Sequence, residues 1–93
     1  MFKQVLVKMR ERVRIGKLTI STHAFREMLD DNLLPSDLRH CVFHGEITER
    51  QWDENWDEWK YVITGDAVDG QAIEIIAKLG PDDTVIITVY SLF

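Results

Sequence analysis

The chain has 93 residues, 45% of them hydrophobic and 29% charged, ordinary globular usage that excludes a disordered, collagen-like or disulfide-built protein. That length makes a single domain spanning residues 1–93, because two halves would each be too small to bury a core. The net charge of −5 excludes a uniformly basic surface of the kind that tracks nucleic acid.

Charge is distributed unevenly. Residues 1–17 carry Lys3, Lys8, Arg10, Arg12, Arg14 and Lys17 against Glu11 alone, +5, which leaves −10 for the remainder. A basic end on an acidic body suits either a local anionic contact or internal pairing. No apolar run reaches the roughly 18 residues of a membrane span. The N-terminus lacks the apolar core and cleavage site of a signal peptide. Cys41 is the only cysteine, so neither an internal disulfide nor a cysteine-rich zinc site is expected, and a cytoplasmic location is.

In chain order, Phe2, Val5, Leu6, Met9 and Val13 recur at helical spacing and predict a first helix over Phe2–Ile15, stopped by Gly16. Lys17–Ser21 alternates polar with apolar, as a short strand does. Ser21 or Thr22 then caps a second helix, His23–Asp30. At about 100° per residue, Ala24, Phe25, Met28 and Leu29 fall on one side of it, and His23, Arg26, Glu27 and Asp30 on the other. A third helix is predicted over Asp37–His44, closed by Gly45, with Leu38, Cys41 and Val42 facing the core.

Strand-like segments follow at Glu46–Gln51, Trp59–Thr64, Gln71–Leu79 and Thr84–Ser91, and the Gly-, Pro- and Asp-bearing turns make the last three an antiparallel meander. Alternation assigns Trp59, Tyr61, Ile63, Ile73, Ile75, Ala77, Leu79, Val85, Ile87 and Val89 to the face beneath the helices. Lys60, Val62, Thr64, Glu74, Ile76, Lys78, Ile86, Thr88 and Tyr90 fall on the opposite, half-polar face. The expected fold class is α+β, with N-terminal helices on one face of a mainly antiparallel sheet. Between the first two segments of the sheet lies Trp52–Glu58, read as an acidic, tryptophan-bearing loop.

Ile20-Ser21-Thr22-His23-Ala24 with Met28, then Leu34 and Asp37, then Gly45-Glu46-Ile47, and finally Val85-Ile86-Ile87-Thr88-Val89-Tyr90 resembles a family of small bacterial domains of unknown function, numbered 4258. That family looks distantly similar to the RelE, MqsR and BrnT ribonuclease toxins, whose genes often adjoin one for a zinc-finger antitoxin. The resemblance implies a toxin-like fold and a metal-independent endoribonuclease site around His23 and Arg26, with Tyr90 as a further member. The sequence departs from the family's pattern at the acidic Trp52–Trp59 stretch and at Asp31, where many members carry a basic residue.

Metal-independent RNA cleavage needs a group that accepts and returns protons beside a cation that holds the phosphate. Histidine titrates in the required range and arginine offers a planar fork, so His23 and Arg26 are the candidate catalytic pair, with Tyr90 as donor or stacking surface. Lys60, Lys78 and Thr88 are candidate substrate contacts on the open sheet face, and no cofactor is expected. The same residues also read as a laced, solvated helix face, since His23–Glu27 and Arg26–Asp30 are i,i+4 pairs. His40 and His44 share that spacing but show no third ligand in sequence.

A second function class rests on the acidic loop. Trp52, Trp56, Asp53 and Glu54 are candidate partner contacts, because exposed indoles anchor protein interfaces. The alternative is that the indoles fold back over the core. The basic flank of the first helix contacts RNA, pairs with Asp53, Glu54, Asp57 and Glu58, or is solvated. The expected partners are RNA, an antitoxin-type protein, or a second copy joined through an exposed sheet edge.

Overall fold

The computed structural model describes residues 2–92. Its elements run α1 (Lys3–Arg14), β1 (Leu18–Ile20), α2 (Thr22–Asp30), α3 (Pro35–His44), β2 (Glu46–Asp53), β3 (Glu58–Asp66), β4 (Ala72–Leu79) and β5 (Thr84–Ser91). The strands form one sheet in the order β1-β5-β4-β3-β2. β2 to β5 make a continuous antiparallel meander, one strand longer than the sequence suggests, and β1 joins β5 in parallel at the edge. The result is an α+β domain on a mixed, mainly antiparallel sheet. No helix is long and apolar enough to cross a membrane among the described residues.

One core joins helices to sheet. Leu6, Met9 and Val13 of α1, Ala24 and Met28 of α2, and Leu38, Cys41 and Val42 of α3 pack with Ile63, Ile73, Ile75, Ala77, Ile86 and Val89. Each large side chain buried there contributes about 1.5–3 kcal/mol relative to exposure. The spacing of these positions, near four residues on the helices and two on β3 and β4, is the periodicity that the sequence announces.

Two of the six cations of the basic end are structural. Arg10 donates from Nε to the carbonyl of Val42 and from a terminal nitrogen to that of Gly45, each at 2.8 Å, which satisfies carbonyls at the end of α3 and places a cation at its negative pole. Arg12 donates to the carbonyls of Gly80 and Asp83 at 3.0 and 2.7 Å, pinning α1 to the β4–β5 turn. Neither arginine pairs with the acidic loop, one of the alternatives open at the level of sequence. Gly45 closes α3 as expected, yet its φ is an ordinary −86°. Glycine is required there because an added Cβ would lie 2.6 Å from the carbonyl oxygen of Cys41 and 2.7 Å from that of Thr64.

Two face assignments are corrected. On β5 the partners step from Ile76↔Thr88 to Ala77↔Ile86, leaving Ile87 as the extra residue of a bulge. A bulge inverts the alternation, so Thr84 and Ile86 are buried before it and Val89 after it, whereas Val85 and Ile87 are only half-buried. On α2, Phe25 and Leu29 are exposed rather than buried. That helix lies against the border of the sheet at β5, and its short inward stripe is Ala24 and Met28 alone.

Candidate functional site

α2 takes the place of a strand along the outer border of β5. β1 pairs only as far as Ile86. There Ser21, the residue that caps α2, donates its backbone N–H to the Ile86 carbonyl at 2.9 Å and its hydroxyl to the Ile87 carbonyl at 2.9 Å. Beyond that point Glu27 Oε1 accepts from the N–H of Val89 at 3.1 Å, and Asp31 Oδ2 from that of Ser91 at 3.1 Å. Glu27 and Asp31 are one helical turn apart, and Val89 and Ser91 are successive N–H groups on one strand edge. Two carboxylates thus supply the acceptors that an absent neighbouring strand would have supplied.

His23 stands exposed at the start of this seam with Nε2 3.3 Å from Glu27 Oε1. The sequence-predicted helix face therefore splits. Glu27 points to the sheet and carries His23 with it, whereas Arg26 is exposed and its side chain has no ion pair or hydrogen bond among the described residues. Tyr90 lies on the open face and donates its hydroxyl to Glu74 Oε1. That bond, desolvation and the charges of Glu74, Glu49 and Glu27 push the Tyr90 phenol above its ordinary value. Of the polar side of α2, Glu27 reaches β5 next to Tyr90, and its carboxylate adds to the negative charge around that phenol.

The open face is neutralised from within. Lys60 Nζ lies 2.9 Å from Asp53 Oδ2, and Lys78 Nζ 2.7 Å from Glu58 Oε2. Lys60 holds the Asp53 carboxyl below the usual carboxylate range, first through the hydrogen bond. Glu74 also accepts from Thr64 at 3.2 Å, and Thr64 meets Thr48 at 2.9 Å. Thr88 stands opposite Ile76 in the ladder. The two candidate phosphate-binding lysines are each committed to a carboxylate, and acceptors dominate the centre of this face.

The segment read as a loop is a β-hairpin. β2 runs to Asp53 and β3 resumes at Glu58, with Asp53 accepting the Asn55 N–H at 3.0 Å and Asp57 at a left-handed φ of 54° to close the turn. Trp52 and Trp59 are direct cross-strand partners, edge-to-face with centroids 5.0 Å apart. Arg50 Cζ sits 3.7 Å from the Trp59 ring centroid and 5.4 Å from that of Phe2, and Phe2 meets Tyr61 edge-on at 5.8 Å. Trp56 is apart from this group, leaning toward Lys78 at 5.7 Å. The indoles are not folded into the core: Trp52, Trp56 and Trp59 are 47%, 70% and 38% exposed. Of the candidate partner contacts, Trp52 and Glu54 remain accessible, Trp56 marks the tip, and Asp53 is engaged with Lys60.

Arg50, Phe2 and Tyr61 are the members that sequence reading missed. Arg50 and Trp52 alternate along β2 as Trp59 and Tyr61 do along β3, so the four share a face once the strands are extended to a tight turn at Glu54–Asp57. The Asp-Glu-Asn turn chemistry carried that signal. Elsewhere, His40 and His44 rings lie 4.5 Å apart, and Asp66, an acidic neighbour not evident in sequence, is 3.6 Å from His40. Among the described residues no cluster of three or more His, Cys, Asp or Glu side chains converges to hold a metal ion. Cys41 is buried, and burial, with the charge of Asp66, pushes its thiol up to about 12.

Comparison with protein families matches residues 20–91 to the family described as Domain of unknown function (DUF4258). No curated protein and no solved structure matches the chain.

Proposed function

Starting from the premise that the chain belongs to the DUF4258 family, we propose that this member is a non-catalytic protein-binding module whose contact surface is the β2–β3 hairpin. The observation that carries the reading is the exposed group Arg50, Trp52 and Trp59, in which two indoles and a guanidinium hold one another in place. Tryptophan, tyrosine and arginine are the residues in which interface energy concentrates, and mutual stacking lowers the entropy lost when they are covered. The acidic remainder of the molecule favours a partner with basic groups around that anchor. An antitoxin-type protein with a basic nucleic-acid-binding surface has that chemistry.

The test is affinity purification from source cells with wild type and with Trp52→Ala/Trp59→Ala, both shown to be folded by circular dichroism. A stoichiometric partner should be retained by wild type alone. Equal recovery by both would reject the hairpin as the interface.

A second reading, a toxin-type fold of the RelE and BrnT kind with endoribonuclease activity, is supported by the His23–Glu27 pair. Glu27 is fixed by the Val89 N–H, so His23 has an oriented carboxylate beside a free Arg26. Opposing it, Tyr90, Lys60 and Lys78 all face carboxylates. Purified chain that cleaves RNA, with cleavage lost in His23→Ala and in Arg26→Ala, would establish this reading in place of the first. Intact RNA after prolonged incubation would remove it.

A further inference from the structure

Beside the Trp52–Trp59 pair, the first turn of α1 and the helix-side surface of the hairpin enclose an open depression of about 590 Å³, lined by Phe2, Lys3, Gln4, Val5, Arg50 and Tyr61. Its charged lining groups are Lys3 and Arg50, and no carboxylate is among them. Every lysine of the open sheet face is paired, and Arg10 and Arg12 are spent on backbone carbonyls. The Arg50 side chain, by contrast, makes no hydrogen bond or ion pair among the described residues. Its guanidinium contacts aromatic rings. Stacking of this kind occupies the faces of the planar group and leaves its N–H edges for a ligand.

We propose that this depression is a carboxylate-binding subsite, in which Arg50, backed by Trp59 and supplemented by Lys3, takes an acidic side chain of the bound polypeptide. The proposal rests on the hairpin-binding reading above and deepens it by naming what the partner must present.

The surroundings select the ligand. A phosphate chain would bring several negative charges toward a molecule of net charge −5, past the exposed Glu54 and Asp57 at the hairpin tip, and it would be repelled. A single carboxylate needs only the one fork, and bidentate pairing with arginine is the strongest common form of that contact. Glu46 lines a smaller crevice that shares Phe2 and Lys3 with this depression, so Arg50 rather than Lys3 is the principal cation of the subsite. The ligand is accordingly an Asp or Glu with basic or aromatic neighbours, the former complementing Glu54 and Asp57 and the latter packing on Trp52.

A phage-displayed library of random dodecapeptides, panned on the full folded chain, supplies the probe. The enriched peptides, made synthetically, are titrated by intrinsic tryptophan fluorescence. The expected result is a shared Asp or Glu whose replacement by the amide weakens binding at least about tenfold, the range of a charge-assisted pair. Arg50→Gln should cause the same loss, and the two changes together should cost no more than either alone.

Peptides that bind Arg50→Gln as tightly as wild type but fail on Trp52→Ala would overturn the subsite and leave the docking surface standing. Peptides dependent on Arg50 and indifferent to Trp52→Ala would keep the subsite and reject the tryptophan anchor. Failure to enrich any peptide, or displacement of an enriched peptide by a short RNA oligonucleotide at equal concentration, would overturn both.

Discussion

At the scale of single residues, the arrangement turns on which ionisable groups are already spent. Glu27 looks like a solvated helix charge in sequence and Asp31 like a departure from the family's pattern, and both are strand-edge acceptors in the fold. Replacing Glu27 by Ala strands the Val89 N–H and should cost roughly 1–3 kcal/mol, read as a fall in the chemical denaturation midpoint. Trp52→Ala removes an exposed ring and should move stability by less than about 1 kcal/mol. Asp53 gives a pH signature. Lys60 lowers its folded pKa, so its contribution is fully present above the ordinary carboxylate value of about 4 and is lost as pH falls through the depressed folded value. Acid unfolding of the hairpin, followed through the fluorescence of its indoles, should lose that limb in Asp53→Asn. The Cys41 thiol, raised to about 12, should resist thiol reagents at neutral pH until the chain is unfolded.

At the scale of elements, helices and central strands were legible because apolar periodicity is a local signal. Leu6, Met9 and Val13, or Ile73, Ile75 and Ala77, declare their buried face without reference to anything distant. Three features were not. The Ile87 bulge inverts β5 and depends on its register with β4. Phe25 and Leu29 were assigned to the core on amphipathic grounds, but the helix docks at a border rather than over the sheet. The hairpin was hidden because its strands are polar and exposed along most of β2. Close approach was equally invisible: Gly45 was recognisable as a stop signal, whereas its contact with the Thr64 carbonyl links residues far apart in sequence. Gly45→Ala therefore forces α3 away from β3 and should destabilise by about 1–3 kcal/mol, as overpacking does, against a negligible change for an exposed substitution such as Glu54→Ala.

At the scale of the whole molecule, Arg10, Arg12 and Lys17 of the basic end act as internal clamps, while Lys3 joins Arg50 in a depression whose lining holds no carboxylate. Arg10 and Arg12 hold α3 and the β4–β5 turn, and Lys17 lies 3.5 Å from Asp82. The free edge of β2 carries Glu46, Glu49 and Arg50 and is broken by a shift at Thr48, devices that disfavour edge-to-edge pairing. The chain alone should sediment as a monomer at micromolar concentration. A concentration-dependent dimer that is abolished by Glu49→Lys would instead identify that edge as a self-association surface. The candidate site was half-visible from sequence: the tryptophans stood out by composition, while Arg50 and Phe2 join them only because β2 folds back on β3 beneath the start of α1.

The central claim, that the molecule works through the hairpin rather than through the α2–β5 seam, is tested most directly by amide hydrogen exchange of the full chain with and without a saturating peptide from the selected library. Docking at the hairpin predicts added protection across residues 50–59 and at the start of α1, with unchanged exchange at 23–27 and 88–91. Protection confined to the seam, with the hairpin exchanging as in the free chain, would contradict it.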